Sequence, residues 1–314
     1  MAMCMPVVSR LVGGGAGFAD GPATTAAFNN PCGVAVDAAS LFVADFNNHR
    51  IRKVRRSDGY TETLAGDGTN GFLDGSGVSA RFSFPTSVTV DSSGNVYVAD
   101  SGNCRIRKIL ANGTTTTLAG STCAFADGAG TAASFFSPTG VAVDSNGNVY
   151  VADSENHRIR KVRADGNTTT LAGDGTDGFA DGAGASARFS TPSGVAVDSF
   201  GVVYVADMGN NRIRKVGTDG TTTTLAGGAM GALVDGVGTV ARFNSPYTLA
   251  VTPSGDLFVA DTINDRIRKV RADGTTTTLG SASARRPRGV TLIANQLFYA
   301  SSADNWINQI DCVE

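Results

Sequence analysis

The sequence predicts an all-β protein, a six-bladed β-propeller with four antiparallel strands per blade. Three observations predict it: a repeat found six times, four strand signals within each copy, and chain ends that complement one another. The segment PTGVAVDSNGNVYVADSENHRIRKVRADGNTTTLAG, which begins at Pro138, has close copies beginning at Pro31, Pro85, Pro192 and Pro246. A worn copy begins at Pro287. The first five starts lie 54, 53, 54 and 54 residues apart and the last step is 41. Self-similarity at such a period marks a repeat architecture.

Within each copy, GVAV is a short apolar run, strand a. A turn of the type Asp144-Ser-Asn-Gly147 follows, built from residues that favour β-turns. VYVAD is strand b and RIRKV is strand c. An Asp-Gly turn then leads to TTTLAG, strand d. All four runs are rich in β-branched residues, as strands prefer. One twisted four-stranded sheet cannot cover both its faces, whereas radially stacked blades cover one another. Ala142 and Ala152 are small enough for close approach near the axis. Ile51, Ile106, Ile159, Ile213 and Ile267 recur at one place in strand c and are expected to fill the space between blades, at about 1.5–3 kcal/mol each.

The last copy runs through its strand c, Trp306 to Val313, and then the chain stops. Residues 8–13, VSRLVG, align with the TTTLAG of strand d. They precede the first copy and are expected to complete the last blade, which hides two sheet edges. This reading makes residues 1–314 one propeller domain.

Composition fits that reading. Hydrophobic residues make up 41% of the 314, enough for a core, and the 40 glycines suit many tight turns. A formal net charge of −2 gives no global attraction to nucleic acid or anionic membrane. No apolar run reaches the length of a membrane span. The opening MAMCMPVVSR has neither the basic nor the apolar region of a signal peptide. A soluble, monomeric domain is expected, and the sequence assigns it no compartment. The five cysteines, Cys4, Cys32, Cys104, Cys123 and Cys312, show no CxxC spacing. Free thiols are the plain reading, with a Cys4–Cys312 bridge at the closure as the alternative.

The b–c loop carries D-x-x-N-x-R-I in five copies: Asp45/Asn48/Arg50, Asp100/Asn103/Arg105, Asp153/Asn156/Arg158, Asp207/Asn210/Arg212 and Asp261/Asn264/Arg266. In this motif the chain resembles the NHL-repeat family of six-bladed β-propellers. The sixth copy departs from it, with Ser301, Asp304 and Trp306 at those places. The resemblance implies the propeller fold. It also implies a range of functions: RNA and protein recognition, extracellular sensing, and zinc-dependent lyase chemistry in one branch.

Repetition in five blades marks the Asp/Asn/Arg set as a structural brace of each b–c loop, with Asp and Arg paired and the Asn amide satisfying loop backbone. Most Lys and Arg fall in strand c, and a solvated, ion-paired rim is expected of them. The d–a loops carry Phe18/Asp20/Gly21, Phe72/Asp74/Gly75, Phe125/Asp127/Gly128 and Phe179/Asp181/Gly182, with Leu233/Asp235/Gly236 in the same series. A second aromatic follows at Phe28, Phe82, Phe135, Phe189 or Phe243. These anchors are expected to pack the loops between blades. Aspartates in Gly-rich loops are the raw material of calcium sites, but none has the density of a dedicated calcium loop. No cofactor is expected.

Catalytic and metal-ligating residues are scarce. His49 and His157 are the only histidines, two blades apart, and Glu62, Glu155 and Glu314 the only glutamates. No His₃ zinc set and no nucleophile elbow can be assembled from them. The expected function is therefore non-catalytic: a recognition or scaffold propeller. Its site is expected where symmetry breaks on the face of the b–c and d–a loops. The residues that break it are Phe46, Met208, Tyr247, Ile263, Arg285, Arg286, Arg288 and Trp306. Exposed aromatics and arginines are common anchors of binding surfaces. The expected partner is a protein or peptide, with a glycan as a further class. The alternatives are a lyase or hydrolase working in the central channel with or without a metal, and an RNA-binding propeller, which would want basic residues on one face interleaved with exposed aromatics.

Overall fold

The computed structural model describes residues 7–279 and 284–311. Blade 1 runs a (Pro31–Val36), b (Ser40–Asp45), c (Arg50–Arg55), d (Thr61–Ala65), and the strands hydrogen-bond in that order. Blade 2 repeats this with Pro85–Val90, Val96–Asp100, Arg105–Ile109 and Thr114–Ala119. Blade 3 uses Pro138–Val143, Val149–Asp153, Arg158–Val162 and Asn167–Ala172. Blade 4 uses Pro192–Val197, Val203–Asp207, Arg212–Val216 and Thr222–Ala226. Blade 5 uses Pro246–Val251, Leu257–Asp261, Arg266–Val270 and Thr275–Thr278.

Blade 6 takes three strands from the chain end, Pro287–Ile293, Gln296–Ser301 and Trp306–Asp311. Its fourth is the first strand of the chain, Val7–Val12, antiparallel to the last with Val7 opposite Asp311 and Val8 opposite Ile310. The strands a pack side by side around an axis, and that of blade 6 returns to that of blade 1. The expected six blades and their closure are both present.

Glycine permits this crowding at the axis. A Cβ on Gly140 would sit 2.5 Å from the Ser193 carbonyl oxygen, and one on Gly194 would sit 2.5 Å from that of Tyr247. Apolar clusters fill the spaces between blades. Ile51 of blade 1 packs with Val88 and Val98 of blade 2 and with Phe82 of the intervening loop. Phe28, Phe82, Phe135, Phe189 and Phe243 are fully buried, and each contributes about 1.5–3 kcal/mol.

The first strand residue of a pairs with the last of b, as Pro138 does with Asp153. The start of strand a, the b–c loop and the d–a loop therefore share one face of the ring. The d–a loop also crosses to the next blade, where Gly75–Ser76 pairs with the outer strand of blade 2.

Two expectations are corrected. Cys104 and Cys123 form a disulfide, so the cysteines are not all free thiols. Cys32 is the free, buried cysteine among the described residues. Cys4 and Cys312 lie outside the described residues. The second correction concerns strand c. Its basic residues are not all a solvated rim, because Arg52, Arg107, Arg160, Arg214 and Arg268 are among the largest fully buried side chains.

Candidate functional site

Two successive residues of strand c are buried because both faces of a blade are covered. Ile51 faces the next blade, and Arg52 lies beneath the preceding d–a loop. Arg52 donates to Asp45 at 2.7 Å and to Asp20 of that loop at 2.6 Å. It also donates to the carbonyls of Ala27 and Ala19. The pattern recurs as Arg107 with Asp100 and Asp74, and as Arg160 with Asp153 and Asp127. Arg214 with Asp207 and Asp181, and Arg268 with Asp261 and Asp235, continue it. The loop aspartate also accepts from strand d, as Asp20 does from Thr63 at 3.0 Å. Each unit thus ties strand b, strand c, strand d and the loop together.

Asp45 is held on three sides, by Arg52, by the Asn48 amide at 2.9 Å and by the Asn29 backbone N–H at 2.8 Å. Burial pushes its carboxyl pKa up, against the pull of Arg52 and Asn48.

A brace confined to each b–c loop is corrected on two counts. The first is the asparagine, whose amide reaches out of its own loop. Asn48 donates both to Asp45 and to the Gly17 carbonyl of the preceding d–a loop. Asn103 donates in the same way to Asp100 and to the Gly71 carbonyl, and Asn156 to Asp153 and to that of Ala124. Asn210 donates to Asp207 and the Gly178 carbonyl, and Asn264 to Asp261 and the Ala232 carbonyl. One NH₂ carries two donors, so a single amide ties the b–c loop to the d–a loop. The second count is the motif arginine. Arg50 is not the partner of Asp45, because Arg52, two residues on, takes that place. Arg50 donates instead to the carbonyls of Asn48 and Asp67 and lies over the Phe18 ring at 3.8 Å. Arg105, Arg158 and Arg212 cover Phe72, Phe125 and Phe179 in the same way. In blade 5 Leu233 stands in the Phe place, and Arg266 donates to the Asp265 carbonyl. The loop phenylalanines are half-exposed lids on guanidinium groups, and the second aromatic is the buried anchor. Every loop aspartate of the series accepts from an arginine and a threonine.

The residue before the motif arginine has a left-handed backbone: His49 (φ 53°), Cys104, His157, Asn211, Asp265 and Asn305. Outside glycine such conformations favour Asn, Asp and His. Five of these side chains accept a backbone N–H from the elbow of the next blade. His49 Nδ1 accepts from Phe84 at 3.2 Å, and His157 Nδ1 accepts from Thr191 at 3.1 Å. Asn211, Asp265 and Asn305 accept from Ser245, Arg286 and Asn30. At the sixth place Cys104 bonds Cys123 of the loop leading to blade 3. Both histidines are therefore latches between blades. Burial and then Arg50 hold the His49 pKa below the usual imidazole value.

The residues after the strand a prolines ring the axis: Cys32, Thr86, Thr139, Ser193, Tyr247 and Arg288. Beneath them Val34, Val88, Val141, Val195, Leu249 and Val290 line a void of about 40 Å³. A second void of about 160 Å³ near the opposite face is lined mainly by Val, Ala and Thr. No Asp, Glu, His, Lys or Arg lines either void. Among the described residues no group of three His, Cys, Asp or Glu is placed to hold a metal.

The residues that break the symmetry do not form one patch. Arg288 lies over the Tyr247 ring at 5.2 Å and donates to the Cys32 sulfur at 3.1 Å, which joins blades 5, 6 and 1 at the axis. Arg285 and Arg286 are exposed farther out. Arg285 pairs with Asp304 at 2.9 Å, and the Arg286 backbone is held by Asp265. Trp306 is covered by Arg10 of the closing strand at 4.8 Å. Phe46 packs on Phe84, toward blade 2. Ile263 is exposed on blade 5, and Met208 is partly buried on blade 4. Sequence reasoning missed Cys32, Phe84 and Phe136. The last two are exposed aromatics at the elbows before strand a, where the other blades carry mostly small polar residues. Their signal was present in alignment with Asn30 and Asn29.

Comparison with known proteins agrees with this geometry. The NHL repeat profile matches residues 82–109, 135–162 and 189–216. The chain is 31% identical over 330 aligned positions to Protein SUPPRESSOR OF QUENCHING 1, chloroplastic, of Arabidopsis thaliana, covering 95% of this chain and 30% of that protein. It is 31% identical to NHL repeat-containing protein 2 of Bos taurus, covering 80% of this chain and 40% of the other. The chain thus spans well under half the length of these relatives. Among solved structures, a Bacteroides thetaiotaomicron protein of unknown function superposes with a TM-score of 0.75 at 16% identity, over 98% of this chain and 76% of that one. Virginiamycin B lyase from Staphylococcus aureus superposes with a TM-score of 0.62 at 12% identity, over 98% and 100%. At these identities the likeness is one of fold.

Proposed function

This chain belongs to the NHL-repeat β-propellers, and from that premise we propose that it is a non-catalytic recognition module. It binds a protein or peptide on the face of the b–c and d–a loops. The observation that carries this reading is the contrast between that face and the channel. The face bears half-exposed Phe18, Phe72, Phe84, Phe125, Phe136 and Phe179, together with exposed Arg285 and Arg286. Aromatic and arginine side chains of this kind anchor protein interfaces. The channel beneath is narrow and aliphatic, and nothing that lines its voids can act as an acid or a base at neutral pH. A glycan is bound by the same face only if its rings stack on these aromatics.

The test is capture of partners from a lysate by the wild-type protein and by a Phe84→Ala/Phe136→Ala/Arg286→Ala variant, scored by quantitative mass spectrometry. A specific set of proteins lost by a variant that melts within about 2 °C of wild type supports the proposal. The same captured set from both proteins contradicts it.

A further inference from the structure

We infer that the axial mouth between blades 5, 6 and 1 is a carboxylate-binding site, formed by the Arg288 guanidinium and the Tyr247 hydroxyl. The inference deepens the recognition reading and rests on it for the face used.

The argument starts from six residues at one register position, of which three are spent. Thr86 donates to the Thr139 carbonyl at 2.9 Å, and Ser193 donates to that of Tyr247 at 2.8 Å. Thr139 donates to the Ser137 carbonyl and accepts from Ser154 at 2.6 Å. On that half of the ring, hydrogen bonds between blades (Thr86, Ser193) and within blade 3 (Thr139) consume the polar atoms.

The other half is Tyr247, Arg288 and Cys32, where the Cys32 thiol donates to the Asn30 carbonyl at 3.5 Å and accepts from Arg288, which leaves the Tyr247 hydroxyl and the remaining Arg288 N–H groups without partners among the described residues. Arg288 is half-buried, yet no aspartate or glutamate among the described residues pairs with it. The five buried arginines of strand c each have two. Its one side-chain hydrogen bond among those residues goes to the Cys32 sulfur. A thiol is a weak acceptor, and burial raises the Cys32 pKa, so the sulfur stays uncharged at neutral pH. The Tyr247 hydroxyl has no hydrogen-bond partner among the described residues. Burial also raises its pKa, which keeps it a donor. A half-buried guanidinium with N–H groups still free is open to a ligand that supplies a counter-charge.

Geometry selects the class of anion. The guanidinium carbon of Arg288 lies 5.2 Å from the Tyr247 ring centroid, one of its nitrogens is taken by Cys32, and the N–H groups that remain suit a planar carboxylate. The void below is only about 40 Å³, so the anion is met from outside and does not pass through. Phosphate calls for more positive charge than one arginine provides. The carboxylate is a glutamate or aspartate side chain of a bound peptide, or a free small acid.

The experiment titrates glutarate, the peptide acetyl-Gly-Glu-Gly-amide, its Gln counterpart and inorganic phosphate into ¹⁵N-labelled full chain, following the Arg288 Nε–H resonance. Glutarate or the Glu peptide is expected to shift that resonance at millimolar concentration, and the Gln peptide is not. Binding by the peptide alone assigns the carboxylate to an acidic side chain, and binding by glutarate alone assigns it to a small acid. Arg288→Gln is expected to weaken binding by about tenfold or more, and Tyr247→Phe by several-fold. If Arg288→Gln does not fold, the wild-type titration and Tyr247→Phe decide. No shift with either carboxylate, a shift with phosphate alone, or equal binding by the variants overturns the inference. These probes involve no protein partner, so their failure leaves the capture experiment standing, and the reverse holds too.

Discussion

Blades 1 and 6 occupy equivalent places in the ring but hold themselves together differently. In blade 1, Arg52 sits buried between Asp45 of strand b and Asp20 of the preceding loop. In blade 6 the same three positions are altered together. Asn308 stands for Arg52 and is buried, and Ser301 stands for Asp45 and donates to the Arg285 carbonyl. The long loop that would supply the second aspartate is missing. A buried guanidinium needs both carboxylates, so loss of the loop removes the reason for the arginine. The sixth blade is therefore a coordinated electrostatic replacement. It carries Arg285 and Arg286 at the elbow where other blades have residues such as Asn29 and Asn30, and Arg288 at the axial position of Thr86 and Ser193.

The most severe way to break this comparison is to put the charge back. Asn308→Arg buries a cation in a blade that lacks its aspartates, and chemical denaturation is expected to show a loss of about 3–5 kcal/mol. A smaller loss comes from the Cys104–Cys123 bridge, which spans 19 residues at the latch between blades 2 and 3. The Cys104→Ser/Cys123→Ser variant is expected to lose about 3 kcal/mol by the same measurement. His49 provides the finest probe. Its imidazole is harder to protonate in the folded chain than in the unfolded one, because of burial and Arg50. Its contribution is complete above the usual imidazole pKa and is lost as pH falls through the depressed folded value. Denaturation between pH 7 and pH 5 is expected to show this decline in wild type and to lack it in His49→Asn. Asn serves the same latch at Asn211 and Asn305.

Much of this molecule is legible in its sequence, for a physical reason. The strand pattern, the six copies and the complementary ends each express a local rule, and the Val7–Asp311 pairing follows from them. The burial of Arg52 does not. Alternation within a strand normally means one wet face, and only the loop crossing from the previous blade covers the second. The same crossing gives the Asn48 amide its second acceptor, about which the b–c motif itself carries no information. Cys104–Cys123 was hidden for a similar reason. Its half-cystine replaces an Asn or His acceptor, and the equivalence appears only when the latch is seen. At the axial mouth, Tyr247 and Arg288 stood out as departures from the repeat. Cys32 did not, because a small residue after the proline is ordinary there.

The central claim is that strand c arginine and loop aspartate form one unit that fixes each d–a loop on the face it shares with the b–c loops. A double-mutant cycle of Arg107→Gln and Asp74→Asn in blade 2 measures it most directly. A coupling of about 2 kcal/mol between the two changes is predicted, and additivity within about 0.5 kcal/mol contradicts the account.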